Sequence, residues 1–232
     1  MNRPKIKKIA VWLILLLLIP LTVFLGIAVF GAKRYAFISA AVAVMSIVPF
    51  FLAFERNQRN QRDPLRLSVI AVITAISVVS RIAFSFVPSF KPVSAVVIIA
   101  GMFLGGEAGF MCGSLTALIS NFYFGQGAFT PFQMLAWGII GFFAGVFGKA
   151  LRKYVPVLLV YGALAGVIFS LMLDVWSTLW FDGYFNLQRY LVQITAALPM
   201  TVSYAVSNVI FLLILAAPFG RKLERIKIKY GL

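Results

Sequence analysis

Residues 93–133 read VSAVVIIAGMFLGGEAGFMCGSLTALISNFYFGQGAFTPFQ, and this stretch decides the fold. Two apolar runs, 93–104 and 107–120, are joined by Gly105-Gly106. At about 1.5 Å per residue the first is only about 18 Å long, too short for a hydrocarbon core of about 30 Å. A helix that stops short of one surface leaves a hollow that loops or a ligand can fill. The connection that follows, 120–133, sets Phe122, Tyr123, Phe124, Phe129 and Phe132 beside Asn121, Gln126 and Gln133, without a single charge.

Similar apolar runs lie on both sides, at 9–30, 35–54, 67–86, 132–148, 155–180 and 190–216. The chain of 232 residues is 62% hydrophobic and 12% charged. A soluble domain is not built this way, and the expectation is an all-α integral membrane protein. The first run follows a basic start, MNRPKIKK, as a signal peptide would, but it is too long and has no small-residue cleavage site after it. It is read as a retained helix, giving eight helices, of which the short pair is the least regular.

Basic residues orient these helices. Arg3, Lys5, Lys7, Lys8, Arg56, Arg59, Arg62, Arg66, Lys149, Arg152, Lys153, Arg221, Lys222, Arg225, Lys227 and Lys229 all fall on one side if eight helices alternate. Lys33, Arg34, Arg81, Lys91 and Arg189 fall on or toward the other. The positive-inside rule then places both termini in the cytoplasm. The net charge of +15 is thus a topology signal. It does not form a module that tracks nucleic-acid phosphates.

This topology puts three loops outside, around 85–93, 121–131 and 181–189. An interfacial aromatic belt explains rings at headgroup level, but does not call for Asn121, Gln126, Gln133, Asn186 and Gln188 among them. Ligand sites do combine apolar walls with a few convergent polar groups. Two ionisable residues lie deep in apolar runs. Arg81 and Asp174 both approach the outer third of the membrane, where they form an ion pair, snorkel separately or line a site. Glu107 opens a helix, where a carboxylate suits the dipole.

Other chemistry is missing. There is no His and one cysteine, Cys112, so an intrachain disulfide is excluded and no metal or redox site is expected. GVFGKA (145–150) lacks the spacing and hydroxyl of a P-loop. No triad and no paired carboxylates appear, so the chain is not read as an enzyme. Ala71 and Ala75, with Ser68 and Ser77 nearby, form a small-residue stripe on 68–79, and Gly109/Gly113 and Gly141/Gly145 repeat the spacing. Such stripes let helices approach closely.

From Leu67 onward the chain resembles the substrate-binding S-components of energy-coupling factor (ECF) vitamin transporters. The resemblance rests on SVIAVITAISVVSRIAF, on VPSFKPVSAVVIIAGMFLGGEAGFMCGSLTALISNFYFGQGAFTPFQMLAWGIIGFFAGVFGK, and on the tail APFGRKLERIKIKYGL. It implies a six-helix core that captures a vitamin at the outer face of a prokaryotic plasma membrane. It also implies a membrane coupling (T) subunit and two cytoplasmic ATPases as partners, with Ala71 and Ala75 facing the coupling subunit. The family's toppling motion would then release substrate inward.

The expected organisation is an extra transmembrane hairpin (1–54), a basic cytoplasmic linker (55–66), the six-helix core (67–220) and a basic cytoplasmic tail (221–232). Candidate substrate-binding residues are Arg81, Lys91, Asn121, Phe122, Tyr123, Gln126, Phe129, Gln133, Asp174, Trp180, Tyr184 and Asn186; no cofactor is implied. A large, uncharged, aromatic and amide-rich lid suits a bulky neutral ligand. The overall look is closest to the cobalamin-type subgroup, with a queuine-like base or another vitamin as the alternative. Two other classes are an ion-coupled secondary transporter using Asp174 and a membrane scaffold without a ligand. The first lacks the paired repeats such carriers show.

Overall fold

The computed structural model describes residues 63–230 and the isolated position Val42. The hairpin expected over 1–54, most of the 55–66 linker and residues 231–232 lie outside the described residues. The described chain is helical, with no strand: α1 (Asp63–Ala83), α2 (Val93–Leu104), α3 (Gly106–Phe124), α4 (Thr130–Val146), α5 (Gly148–Lys153), α6 (Val155–Asp182) and α7 (Leu187–Tyr230). α1 from Pro64, α6 and α7 are long and apolar enough to cross a membrane, while α2 and α4 are shorter apolar helices.

The short helix is the centre of the bundle. Every residue of α2 is buried, and it touches each of the other described helices. That explains its sequence, which has no charge and no polar face: a helix covered all round needs neither. It ends where Gly105 takes φ 98° and ψ 166°, a region an L side chain avoids, and α3 doubles back at once.

The stripes of small residues find their use in this hairpin and its neighbour α4. A Cβ on Gly109 would lie 2.2 Å from the Gly141 carbonyl oxygen, and one on Gly145 would lie 2.1 Å from the Gly106 nitrogen. The backbones of α3 and α4 are therefore in direct contact, which Gly109/Gly113 and Gly141/Gly145 make possible. Ala71 and Ala75 differ, because both are exposed on the outer face of α1.

The first helix starts at Asp63, so the end of the expected linker is its first turn, and α7 stays helical into the basic tail. At about 1.5 Å per residue, α7 is about 66 Å long and overshoots a bilayer core. The aromatic connection is also shorter than expected. Asn121–Phe124 is the last turn of α3, and only Gly125–Phe129 is loop. No glycine or proline occurs between Gly113 and Gly125, which takes φ 98°, so the helix runs on until then. Pro131 sits in the first turn of α4, where a missing N–H costs nothing.

Candidate functional site

At one end of the bundle, the end of α1, the start of α2, the end of α3 and the start of α4 meet. Arg81 is buried in the last turn of α1, and its surroundings explain how a cation persists there. Its Nη1 donates to Asn121 Oδ1 at 2.8 Å and to Ser120 Oγ. Its guanidinium lies 4.6 Å from the Phe124 ring centroid and 5.0 Å from that of Trp137. Charge-assisted hydrogen bonds and two aromatic faces offset the lost hydration.

Asn121 is fully buried and links three helices. Besides accepting from Arg81, its Nδ2 donates to Gln133 Oε1 at 2.9 Å and to Thr130 Oγ1 at 3.0 Å. Thr130 Oγ1 donates in turn to Gln126 Oε1 at 3.0 Å, and Gln126 Nε2 donates to the Leu118 carbonyl at 2.8 Å. The network is satisfied at each of these atoms, so it fixes side-chain positions rather than leaving them to find partners.

Beside the network lies a small, partly open cleft, lined by Arg81, Lys91, Val93, Ser94, Gln133, Trp137, Phe169 and Tyr204. Trp137 stacks on Phe169 at 4.7 Å and 15°, and Phe169 meets Tyr204 edge-on at 5.1 Å. Trp137 Nε1 donates to Ser94 Oγ at 3.2 Å, which holds the indole plane. Lys91, in the α1–α2 loop, is half-buried with its ammonium 5.0 Å from the Phe124 centroid. Burial first, and the charge of Arg81 second, hold that ammonium below the ordinary lysine range. The mix of aromatic walls with few polar groups is that of a small-molecule site.

A family model for the ECF-type riboflavin transporter, S component, matches residues 63–225. The chain belongs to this family. It is therefore a membrane protein and the substrate-binding subunit of a transporter, which works with T and ATPase modules, and it is not an enzyme. No match was found among curated proteins or among solved structures.

In this S component, Arg81, Lys91 and Gln133 line the cleft, and Asn121 stands directly behind them. Gln126 is exposed and bonded to the loop and to α3. Phe129 packs on Trp176 at 5.5 Å, and neither lines the cleft. Phe122, Tyr123 and Trp180 are 77%, 64% and 57% exposed, and Tyr184 is also exposed. Asn186 accepts from the backbone N–H groups of Gln188 and Arg189 and so caps α7. The Arg81–Asp174 ion pair does not form: Arg81 turns to α3, and the Asp174 Oδ2 is buried on α6 without a hydrogen-bond partner among the described residues. Independent snorkelling of Arg81 is likewise replaced by the buried network.

Ser94, Trp137, Phe169 and Tyr204 were not anticipated. Trp137 follows Gln133 by four residues, which puts both on one face of α4, so the amide carried a usable signal for the indole. Phe169 and Tyr204 sit in long apolar runs where nothing in the sequence separates lining from packing.

Proposed function

We propose that this S component captures a flavin in the cleft between α1, α2, α4, α6 and α7. The observation that carries the reading is the lining itself. A stacked Trp137–Phe169 pair with Tyr204 offers flat apolar walls, while Arg81, Ser94 and Gln133 offer hydrogen bonds from one side. An isoalloxazine is a flat tricycle whose one edge carries two carbonyls around an N–H. Gln133 can serve either the carbonyls or the N–H of that edge, and the Ser94 hydroxyl is a further partner. The name of the matched family points the same way. Cobalamin, favoured by the overall look of the sequence, gains no support from the family match.

Ala71 and Ala75, with Ser68, Val72, Ile76 and Val79 exposed beside them, serve as the docking face for the T subunit. An exposed small-residue face on an outer helix lets a second protein's helix approach closely, and the chain's own inner stripes are already used.

Purified protein without partners, titrated with riboflavin and its 5′-phosphate while flavin fluorescence is followed, tests the capture reading. Saturable one-to-one quenching that cyanocobalamin does not compete away is expected. Trp137→Ala should weaken it about two- to tenfold through the lost ring contact alone, since aromatic pairs of this kind contribute about 0.5–1.5 kcal/mol beyond the area they bury. Absence of binding to any flavin, or capture of cyanocobalamin instead, overturns it.

A further inference from the structure

Two cations share the cleft. The Arg81 guanidinium and the Lys91 ammonium lie 4.6 and 5.0 Å from the same Phe124 centroid, so they stand within about one Debye length of each other. Among the described residues no carboxylate lines the cleft with them. Of the described aspartates nearer this end, Asp182 pairs with Arg189, and Asp174 Oδ2 has no hydrogen-bond partner at all.

The two differ in how they are held. Arg81 is fixed by Ser120 and Asn121, and so has a part in joining α1 to α3. Lys91 has no such part. Its backbone carbonyl accepts from Ser207 Oγ at 3.0 Å, which anchors the loop, but among the described residues its ammonium meets only the Phe124 ring. A second, half-buried cation next to a buried first one is electrostatically unfavourable by itself. It is a favourable arrangement once an oxyanion lies between them, because each charge then gains a charge-assisted hydrogen bond.

Resting on the flavin-capture reading of this cleft, we propose that its ligand is a flavin carrying an anionic group, a phosphate ester whose oxygens are held between Lys91 and Arg81. Trp137 and Phe169 then meet the ring system, and Lys91 acts as the residue that selects the charged form. The loop carrying Lys91 becomes the specificity element of the site.

Riboflavin and riboflavin 5′-phosphate differ only by the phosphate, so the ratio of their dissociation constants reads the proposal directly. For wild-type protein the phosphate ester should bind about tenfold to hundredfold more tightly. That ratio should shrink with added salt. Lys91→Gln should bring it close to one, while Lys91→Arg keeps it. Equal or tighter binding of riboflavin overturns the proposal and leaves flavin capture standing. A preference for the ester that survives Lys91→Gln overturns the role of Lys91. Binding of neither flavin overturns both readings together.

Discussion

Gly141→Ala and the pair Ala71→Leu/Ala75→Leu look alike on paper, since each enlarges a small residue in a membrane helix, yet the structure separates them. A Cβ on Gly141 would sit 2.2 Å from the Gly109 oxygen, 2.4 Å from its carbonyl carbon and 2.8 Å from Val97 Cγ1. Two of those atoms are backbone and cannot rotate away. Carbon atoms in good contact are about 3.5–4.0 Å apart, so α3 and α4 must separate by about 1 Å. Overpacking of this sort costs about 1–3 kcal/mol, and a rigid backbone neighbour places it at the upper end. At about 1.4 kcal/mol per factor of ten, the folded-to-unfolded ratio falls by up to about a hundredfold. Ala71 and Ala75 are exposed, so leucines there should change stability by no more than about 0.5 kcal/mol. Thermal unfolding of the detergent-purified protein, followed by tryptophan emission, measures both. Gly141→Ala should melt well below wild type and the double leucine variant should match wild type. Assembled with T and ATPase modules, the leucine variant should bind flavin but fail to support uptake. A Gly141→Ala protein that melts like wild type, or a leucine variant that transports normally, refutes this division between inner and outer stripes.

Asn121→Ala removes three hydrogen bonds, two of them neutral at about 0.5–1.5 kcal/mol and one to the guanidinium at about 1.5–3 kcal/mol. It should lower the melting temperature and weaken flavin binding, and unchanged binding would show that the network does not position the cleft. Asp174→Asn should leave flavin binding and ATPase-driven uptake intact and should not lower the melting temperature, because it removes a buried carboxylate whose Oδ2 has no partner. Loss of uptake with binding retained in that variant would instead support an ion-coupled role for the carboxylate.

The helical class, the short α2 and its Gly105 break were legible because length and apolarity are one-dimensional signals. Arg81, Lys91, Asn121 and Gln133 stood out for a related reason, because a polar group in or beside an apolar run must be explained: three of them line the cleft and Asn121 bonds to two of those. The aromatics were not legible. Successive helical residues point about 100° apart, so Asn121 turns inward while Phe122 and Tyr123 turn out. Depth along the chain says nothing about that azimuth, and a ring is equally at home in lipid or in a site. Asn186 was drawn into the expected site for its amide, yet an amide just before a helix also reads as an N-cap, and the cap is what it forms. Residues 120–133 were read as one loop because their composition is loop-like; helix propagation to the first glycine overrode composition.

The glycine seam and the polar network form one device. Gly109 and Gly113 bring α3 against α4 until a Cβ on Gly113 would lie 2.4 Å from the Trp137 oxygen. Ser114 Oγ then reaches the Met134 carbonyl at 3.0 Å and ties the same two helices. Two turns further along α3, this spacing leaves Asn121 within 2.9 Å of Gln133. Residues of ordinary size along the seam would hold the axes apart, and an amide-to-amide bond with its short reach could not close. Arg81 would then lose Asn121 as its acceptor and the cleft its fixed wall. Rigid elements in backbone contact, rather than the mobile connection between them, are thus what pre-organises the cation beside the ligand space. That is why a methyl group at Gly141, which touches no cleft-lining side chain other than through α3 and α4, should weaken flavin binding as well as stability.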